Sequence, residues 1–470
     1  MINTNLIRPY EKSLATSAVP IYAICAHEMD GAGQFKDNDG PPAIPADLVT
    51  LAAANNFSAG GGDILSGSSA VLLGLGDGTD PFLAAAGSER LPSGDYYFAH
   101  LPTALDPTLI CLGWLMGSYR FDRYRKRKHA TANLVAPQNT DVDAVKSAAD
   151  AMGLVRDLVN TPAADMLPSN LEEATRALGA KHNASVEVIA DEELLTRNFP
   201  MIHAVGRASP DAPRLLDLKW QSPSTPADAP SIVLVGKGVC FDSGGLNIKG
   251  ASGMALMKKD MGGAAHALGL ASMIMAAKLP IRLRVLIGAV ENAIDGSAFR
   301  PSDILSSRKG LSVEIGNTDA EGRLVLGDAL TYGAEEKPDL MISLATLTGA
   351  ARVALGPEVI PYYCTDDALS DAMARASETQ FDPAWPMPLW QRYQSMLSSS
   401  VADMNNISGN SFAGSIIAAL FLQRFIPAEQ NWMHFDLYAW RTISEPGRPK
   451  GGEAQCIRAL FSMIQTQYCK

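Results

Sequence analysis

Residues 231–245, SIVLVGKGVCFDSGG, decide how this chain folds. Ser231 to Val235 is a short apolar, β-branched run of the kind that forms a fully buried strand. The glycine-rich stretch Gly236–Gly245 reads as the loop at its carboxyl end, and it carries Lys237 and Asp242, with Asn247 and Lys249 just beyond. Working outward, Arg214–Lys219, Leu283–Val290, Val313–Ile315 and Leu340–Ala345 are further strand candidates, and Leu256–Ala277 and Leu324–Ala334 read as helices. Strands alternating with helices build a mixed, mostly parallel sheet flanked by helices. In such sheets ligands bind at the carboxyl ends of the strands, so the loops there are the place to look for chemistry.

Upstream, Val19–Ala26 and Ser69–Leu75 read as strands and Thr108–Tyr124 as a helix, which makes a small N-terminal α/β domain. The boundary is expected near Thr131–Pro137. The amphipathic run Val142–Leu158 then forms a bridging helix that ends at Asn160-Thr161-Pro162. The division expected is therefore 1–135, a bridge over 136–162, and a second α/β domain over 163–470. A length of 470 residues agrees with two domains, because single cores stop growing well below that size.

Composition excludes several classes. With 47% hydrophobic and 19% charged residues the chain has ample core material and is not a disordered sequence. A net charge of −11 makes nucleic acid and anionic membrane poor partners. The basic run Arg120–Lys128 (RFDRYRKRK) is the contrary patch, read as a solvated helix end or a subunit contact. No signal-peptide run or membrane-spanning apolar stretch occurs, so a cytoplasmic protein is expected. Six scattered cysteines without a CxxC pair argue against a disulfide framework and a thiolate metal site. The seven histidines lack HExxH spacing, and His434 reads as a packing residue.

Three loops carry unusual charge. The first holds Lys237, Asp242 and Lys249, unless it is only a glycine-rich anion nest or tight turn. The second, Met257-Lys258-Lys259-Asp260-Met261-Gly262-Gly263, places Asp260 at the start of a helix whose small residues imply close packing on the sheet. Asp260 is either a charge complementing the helix dipole or a ligand. The third is Asn317-Thr318-Asp319-Ala320-Glu321-Gly322-Arg323. In an extended segment Asp319, Glu321 and Arg323 share one face, while Thr318 and Glu321 also fit a capping box. Converging carboxylates repel unless cations lie between them, and oxygen-rich sites suit divalent metals.

VGKGVCFDSGG, the lysine seven residues past its aspartate, MKKDMGGAA, NTDAEGRL and ATLTG resemble, in order and spacing, the signatures of the leucine aminopeptidase (cytosol aminopeptidase) family. The resemblance extends from Asn160-Thr161-Pro162 to Trp432–Asp436. The first ~130 residues match the family only in position and in α/β, macro-domain-like character. It implies a metal-dependent enzyme that hydrolyses the N-terminal residue of peptides, leucine and other apolar residues foremost, through a water activated by two metals. Asp242 and Glu321 would be shared by both ions, Asp319 would join one, and Lys237 with Asp260 the other. The metals implied are zinc or manganese, with magnesium or cobalt as alternatives. Lys249 would polarise the scissile carbonyl, and Arg323 would hold a bicarbonate ion acting as base. Met257, Asn317, Thr346, Leu347 and Gly349 match positions that line the pocket for the first residue or contact the substrate backbone. A homohexamer, a dimer of trimers, is the assembly implied. The sequence departs from many relatives at Gly250, where they carry proline. Two rivals are a phosphoesterase, for which the loops offer few phosphate ligands beyond Lys249 and Arg323, and a DNA-binding regulator, which needs more basic surface than Arg120–Lys128.

Overall fold

The computed structural model describes residues 1–30, 34–36 and 44–469. They form two compact units, one of Met1–Gly153 with Arg441–Lys450 and one of Leu154–Trp440 with Gly451–Lys470. The helix Val142–Asn160 runs through the point where the chain passes from the first unit to the second.

The first unit is built on a six-stranded sheet. In chain order its strands are β1 (Ile7–Arg8), β2 (Val19–Ile24), β3 (Ile64–Ser66), β4 (Val71–Gly74), β5 (Gly94–His100) and β6 (Ala132–Val135). They lie side by side as β1-β6-β5-β2-β4-β3, all parallel except the hairpin β3–β4. The helix expected over Thr108–Tyr124 spans Pro107–Met116 instead. It stops because the Ser118 hydroxyl donates to the Leu115 carbonyl at 2.7 Å, taking one of the acceptors that end a helix. Arg123–Lys128 therefore lie outside any helix, and they are solvent-exposed. The segment Arg441–Lys450 is held within this unit by Arg448 on Asp80 and by the Gly447 N–H donating to Glu89.

The second unit carries an eight-stranded sheet in the order β15-β14-β17-β13-β9-β10-β8-β7. Here β7 is Ser185–Ala190, β8 Arg214–Gln221, β9 Ser231–Asp242, β10 Arg282–Asn292, β13 Leu340–Ala345, β14 Ile360–Cys364, β15 Ala384–Pro386 and β17 Trp432–Asp436. The four central strands β17, β13, β9 and β10 are mutually parallel, so their carboxyl ends point the same way. Toward the edges, β14 runs antiparallel to β17, and β8 is antiparallel to both β10 and β7. The expected strand Val313–Ile315 is real as β12 (Ser312–Glu314), but it belongs to a separate small sheet with β11 (Ile304–Ser306) and β16 (Met404–Asn405). No helix among the described residues is long and apolar enough to cross a membrane. All six cysteines are free, and Cys25, Cys111, Cys240 and Cys456 are buried.

Two expectations about the central elements are corrected. The strand expected to end at Val235 continues through the glycine-rich segment to Asp242, pairing with β10 as far as Asn292. These glycines make room rather than a turn: a Cβ on Gly236 would sit 2.7 Å from the Ala264 Cα, and one on Gly263 would overlap the Leu344 carbonyl. The expected helix Leu256–Ala277 is divided into a 3-10 turn Met257–Lys259 and a helix Gly262–Ala276, with Asp260 between them. Asp260 lies there because its side chain is drawn to the site, not along the helix surface.

The helix Gly322–Ala334 packs on the other face of the same strands and is fastened by Asp328. This fully buried carboxylate accepts the backbone N–H groups of Met201 and Arg308 at 2.8 Å each and of Ile202 at 3.3 Å. Burial pushes its carboxyl up to about 7, opposed by those three donors. Asp328→Ala leaves three backbone donors unpaired, two of them buried. It is expected to lower unfolding free energy by about 2–4 kcal/mol, since each orphaned group costs on the order of 1–3 kcal/mol before relaxation. Urea denaturation checks this; a loss below about 0.5 kcal/mol would show that the carboxylate does not fasten the helix.

Candidate metal centre

The carboxyl ends of β9, β10, β13 and β17 meet over a cavity of ≈ 370 Å³ lined by Lys237, Asp242, Lys249, Asp260, Asp319 and Glu321 among others. Each side chain arrives by a different route. Lys237 and Asp242 come from β9 itself, where alternation along an extended strand puts residues five apart on opposite faces unless the strand distorts. The pairing of β9 with β10 shifts register between Val290 and Asn292, beside Asp242. Asn292 then donates to Asp242 Oδ1 at 2.9 Å, and the Gly244 N–H donates to the same atom at 2.9 Å. Gly244 and Gly245 both have positive φ, +87° and +63°, and their turn sends Lys249 back over the strand end.

Two ammonium groups lie among four carboxylates. Lys237 Nζ is 2.7 Å from Asp260 Oδ2 and 2.9 Å from Glu321 Oε1, and it donates to the Thr346 carbonyl at 3.2 Å. Lys249 Nζ is 2.7 Å from Asp242 Oδ2 and also contacts Asp319 Oδ1. Asp260 is held on its other side by the Thr346 hydroxyl at 2.8 Å. One oxygen each of Asp242, Asp319 and Glu321 lies within 4.8 Å of the others, an arrangement that can close on a metal ion. The buried Glu321 Oε2 has no hydrogen-bond donor.

The electrostatics follow from burial and crowding. Burial and the charge of Asp260 raise Asp242 to about 6, against the pull of Lys237 and Lys249. Glu321 is pushed up to about 7 by burial and by Asp242. Asp319 is raised as well, chiefly by burial. Burial disfavours the charge on Lys237, but Asp260, Glu321 and Asp242 outweigh it and hold the ammonium above its ordinary pKa. Lys249 is held up in the same way by Asp242 and Asp319. Only Lys237 and Lys249 make ion pairs with these four carboxylates, although Lys259 and Arg352 line the same cavity. With one orphaned oxygen and three carboxyls pushed upward, the donor set fits divalent cations.

The remaining residues singled out in the sequence are not all together. Met257, Thr346, Leu347 and Gly349 line the cavity, whereas Asn317 and Arg323 do not. Asn317 stands behind it, its Oδ1 accepting the Asp319 N–H at 2.8 Å. The extended geometry that would bring Arg323 beside Asp319 and Glu321 ends at Gly322, where the helix starts and successive side chains turn by 100°. Arg323 points instead toward Phe421, its guanidinium 5.8 Å from the ring, and Nη1 donates to the Asn406 carbonyl at 2.7 Å. Burial lowers it to about 10, and its Nε has no partner. The capping box is not formed: the Thr318 hydroxyl donates to the Gly244 carbonyl at 2.6 Å and accepts from the Asn247 N–H, tying the first loop to the third. His434 is a packing residue, stacked between Tyr363 and Trp432 and lowered by burial to about 3.

Sequence reasoning missed Asn292 and Asp436. Asp436, at the end of β17, accepts the Leu347 and Thr348 N–H groups and the Thr348 and Ser415 hydroxyls, so it shapes the loop that forms one cavity wall. Both sit at carboxyl ends of parallel strands, which is the signal that could have found them. Lys259 and Arg352 also line the cavity, and nothing in their sequence context marks them.

Comparison with known proteins agrees with this geometry. Residues 153–461 match the model for the catalytic domain of the cytosol aminopeptidase family, and residues 57–137 match the N-terminal domain of M17 aminopeptidases. A probable cytosol aminopeptidase of Roseiflexus castenholzii is 41% identical over 377 residues, 76% of this chain and 75% of the relative. One from Leifsonia xyli is 36% identical, covering 92% and 94%. Among solved structures, the cytosol aminopeptidase of Coxiella burnetii superposes with a TM-score of 0.89 at 42% identity over 99% of this chain and 100% of that one. The bottromycin maturation enzyme BotP in complex with Mn has a TM-score of 0.84 at 30% identity, over 96% and 99%. The acidic cavity falls inside the segment matched as a catalytic domain, and the chain belongs to the cytosol aminopeptidase family of metal-dependent exopeptidases.

Proposed function

We propose that the chain releases leucine and other apolar residues from the N-termini of peptides, and that Lys237, Asp242, Asp260, Asp319 and Glu321 hold two divalent ions. The observation that carries this reading is the convergence of carboxylates, one oxygen each of Asp242, Asp319 and Glu321 lying within 4.8 Å of the others, with the buried Glu321 Oε2 left without a donor. The split between two ions is supported by proximity. Asp319 groups with Asp242 and Glu321, while Lys237 joins Asp260 to Glu321. Asp242 and Glu321 would be the shared pair. Zinc or manganese is our assignment, with magnesium or cobalt able to substitute; an oxygen-rich donor set accepts all four, and the similar bottromycin enzyme is in complex with Mn. When bound, such ions supply Lewis acidity at the scissile carbonyl and a nucleophile at neutral pH.

The chain's own groups position the substrate. Met257, Thr346, Leu347 and Gly349 receive the first side chain and the adjoining backbone, and the free α-amine would be accepted by the Lewis acid that the bound ions supply. Once Asp242 and Asp319 are committed to cations, the Lys249 ammonium is free to donate to the oxygen on which charge develops. Arg323, a buried cation with an unpartnered Nε, would hold the bicarbonate ion that accepts a proton. Lys237 serves differently: as a ligand it must be a neutral amine, so metal loading displaces its proton.

We further assign residues 1–135 to an N-terminal domain, 136–162 to a connecting helix and 163–470 to the catalytic domain. The N-terminal family match ends at 137, close to the first boundary, and the catalytic match starts at 153, within the connecting helix. A cytoplasmic homohexamer acting on peptides is proposed from the family resemblance, and light scattering that finds a stable active monomer would refute the assembly.

Chelation is expected to abolish hydrolysis of leucyl-p-nitroanilide, and readdition of zinc or manganese to restore it at two ions per chain. Full activity at one ion per chain rules out the paired site. N-acetylated leucyl substrates should not be turned over, because an amide nitrogen is not a donor that the proposed ions could accept; efficient cleavage of them contradicts an exopeptidase.

The two lysines should fail differently. Lys249→Ala is expected to keep both metals by elemental analysis and to lose about 10²–10³ in kcat, the usual effect of removing one electrostatic donor. Lys237→Arg cannot supply a neutral amine and should bind one ion weakly, with activity partly recovered as metal concentration rises. Two tightly held ions in the Lys237→Arg protein would remove Lys237 from the ligand set.

A further inference from the structure

Two cations of the cavity have no part in this mechanism. Lys259 ends the 3-10 turn that begins with Met257; it is only 4% exposed, yet it lines the cavity. Arg352 projects from the helix Gly349–Leu355 and is solvent-accessible at the same cavity. Both face one aromatic ring. Lys259 Nζ is 4.9 Å from the centroid of Tyr438, and the Arg352 guanidinium carbon is 5.0 Å from it.

Among the described residues neither side chain has a hydrogen bond or an ion pair. The nearby carboxylates are already committed: Asp260 to Lys237 and Thr346, and Asp436 to two backbone N–H groups and two hydroxyls. The Tyr438 ring face offsets part of the cost of the buried ammonium, but it supplies no counter-charge. An anion entering the cavity would supply one. The surrounding walls bear on its shape, because Met257, Leu347 and Leu437 add apolar surface to the same lining.

We infer that Lys259 and Arg352 are specificity-determining residues that accept a carboxylate-bearing first side chain, so that peptides beginning with glutamate or aspartate are substrates alongside those beginning with apolar residues. This rests on the aminopeptidase reading and extends it to a substrate class. The methylenes of a glutamyl side chain lie against Met257, its carboxylate meets the two cations, and its amine stays at the end of the cavity that would hold the metals. A carboxylate could also come from the C-terminus of a dipeptide, and the test separates the two sources.

The test compares glutamyl- and leucyl-p-nitroanilide, which have no C-terminal carboxylate, using the metal-loaded full-length enzyme. Wild type is expected to cleave the glutamyl substrate with kcat/KM within about tenfold of the leucyl one. Arg352→Gln, an exposed change that folding tolerates, and Lys259→Met should each lower the glutamyl-to-leucyl ratio at least tenfold, mainly through KM. Added salt should lower the wild-type ratio too, since Arg352 is open to solvent. The inference is overturned if wild type cleaves leucyl but not glutamyl anilide, or if Arg352→Gln and Lys259→Met leave the ratio unchanged. It is equally overturned if these variants impair Leu-Gly relative to Leu-Gly-amide while sparing the glutamyl anilide, for the cations then read a C-terminal carboxylate. Failure of wild type on leucyl anilide would instead strike the aminopeptidase reading beneath it.

Discussion

Four carboxylates crowded at the ends of parallel strands repel one another across a medium that screens poorly, and that repulsion sets the terms for the rest of the catalytic unit. Burial and mutual charge push Asp242 and Glu321 well above ordinary carboxyl values. The positive charge between them comes from Lys237 and Lys249, each bridging two carboxylates. A buried ion pair of this kind gives little net stability, and breaking one costs about 3–5 kcal/mol because a charge is left uncompensated. The cluster is thus maintained at a cost in stability, which is the usual mark of a site kept for its chemistry.

Such a cluster survives only on a scaffold that leaves its members little freedom. Gly236 and Gly263 let the helix Gly262–Ala276 lie directly on β9 and β13, so that Asp260 is carried in beside Lys237. On the opposite face Asp328 fixes the helix whose N-terminus presents Glu321. Thr318 and Asn247 clasp the first loop to the third, and Asn292 holds Asp242 from the neighbouring strand. These contacts are made by groups that touch no substrate, yet they decide where every charged group of the site stands.

The cavity also carries both signs of charge. Its carboxylates suit the cations we assign, whereas Lys259 and Arg352 bring positive charge that has no ion-pair partner among the described residues. An amino-terminal residue with an acidic side chain complements both at once. An apolar first residue uses only the thioether and leucine surface of the lining, and lysine or arginine in that position would meet like charge. Selectivity in this account comes from where unpaired charge is left, not from the size of the pocket.

The sequence by itself determined the α/β class, the central strands and the charged groups. Continuous apolar runs between glycine-rich punctuation are local properties, and Lys237, Asp242, Lys249, Asp260, Asp319 and Glu321 stand out as charges where buried elements begin or end. What it could not determine depended on neighbours distant in the chain. Whether Gly236–Asp242 is loop or strand was settled by β10, which pairs with it to Asn292. Whether Thr318 caps a helix or clasps a loop was settled by the Gly244 carbonyl, 74 residues away in sequence. Arg323 stands outside the cavity lining, although Glu321 still acts on its charge, because the helix begins at Gly322, a boundary that a capping pattern places only approximately. Nothing in the sequence pairs Lys259 with Arg352; the fold sets both against Tyr438, since only tertiary packing decides which charges end without a partner.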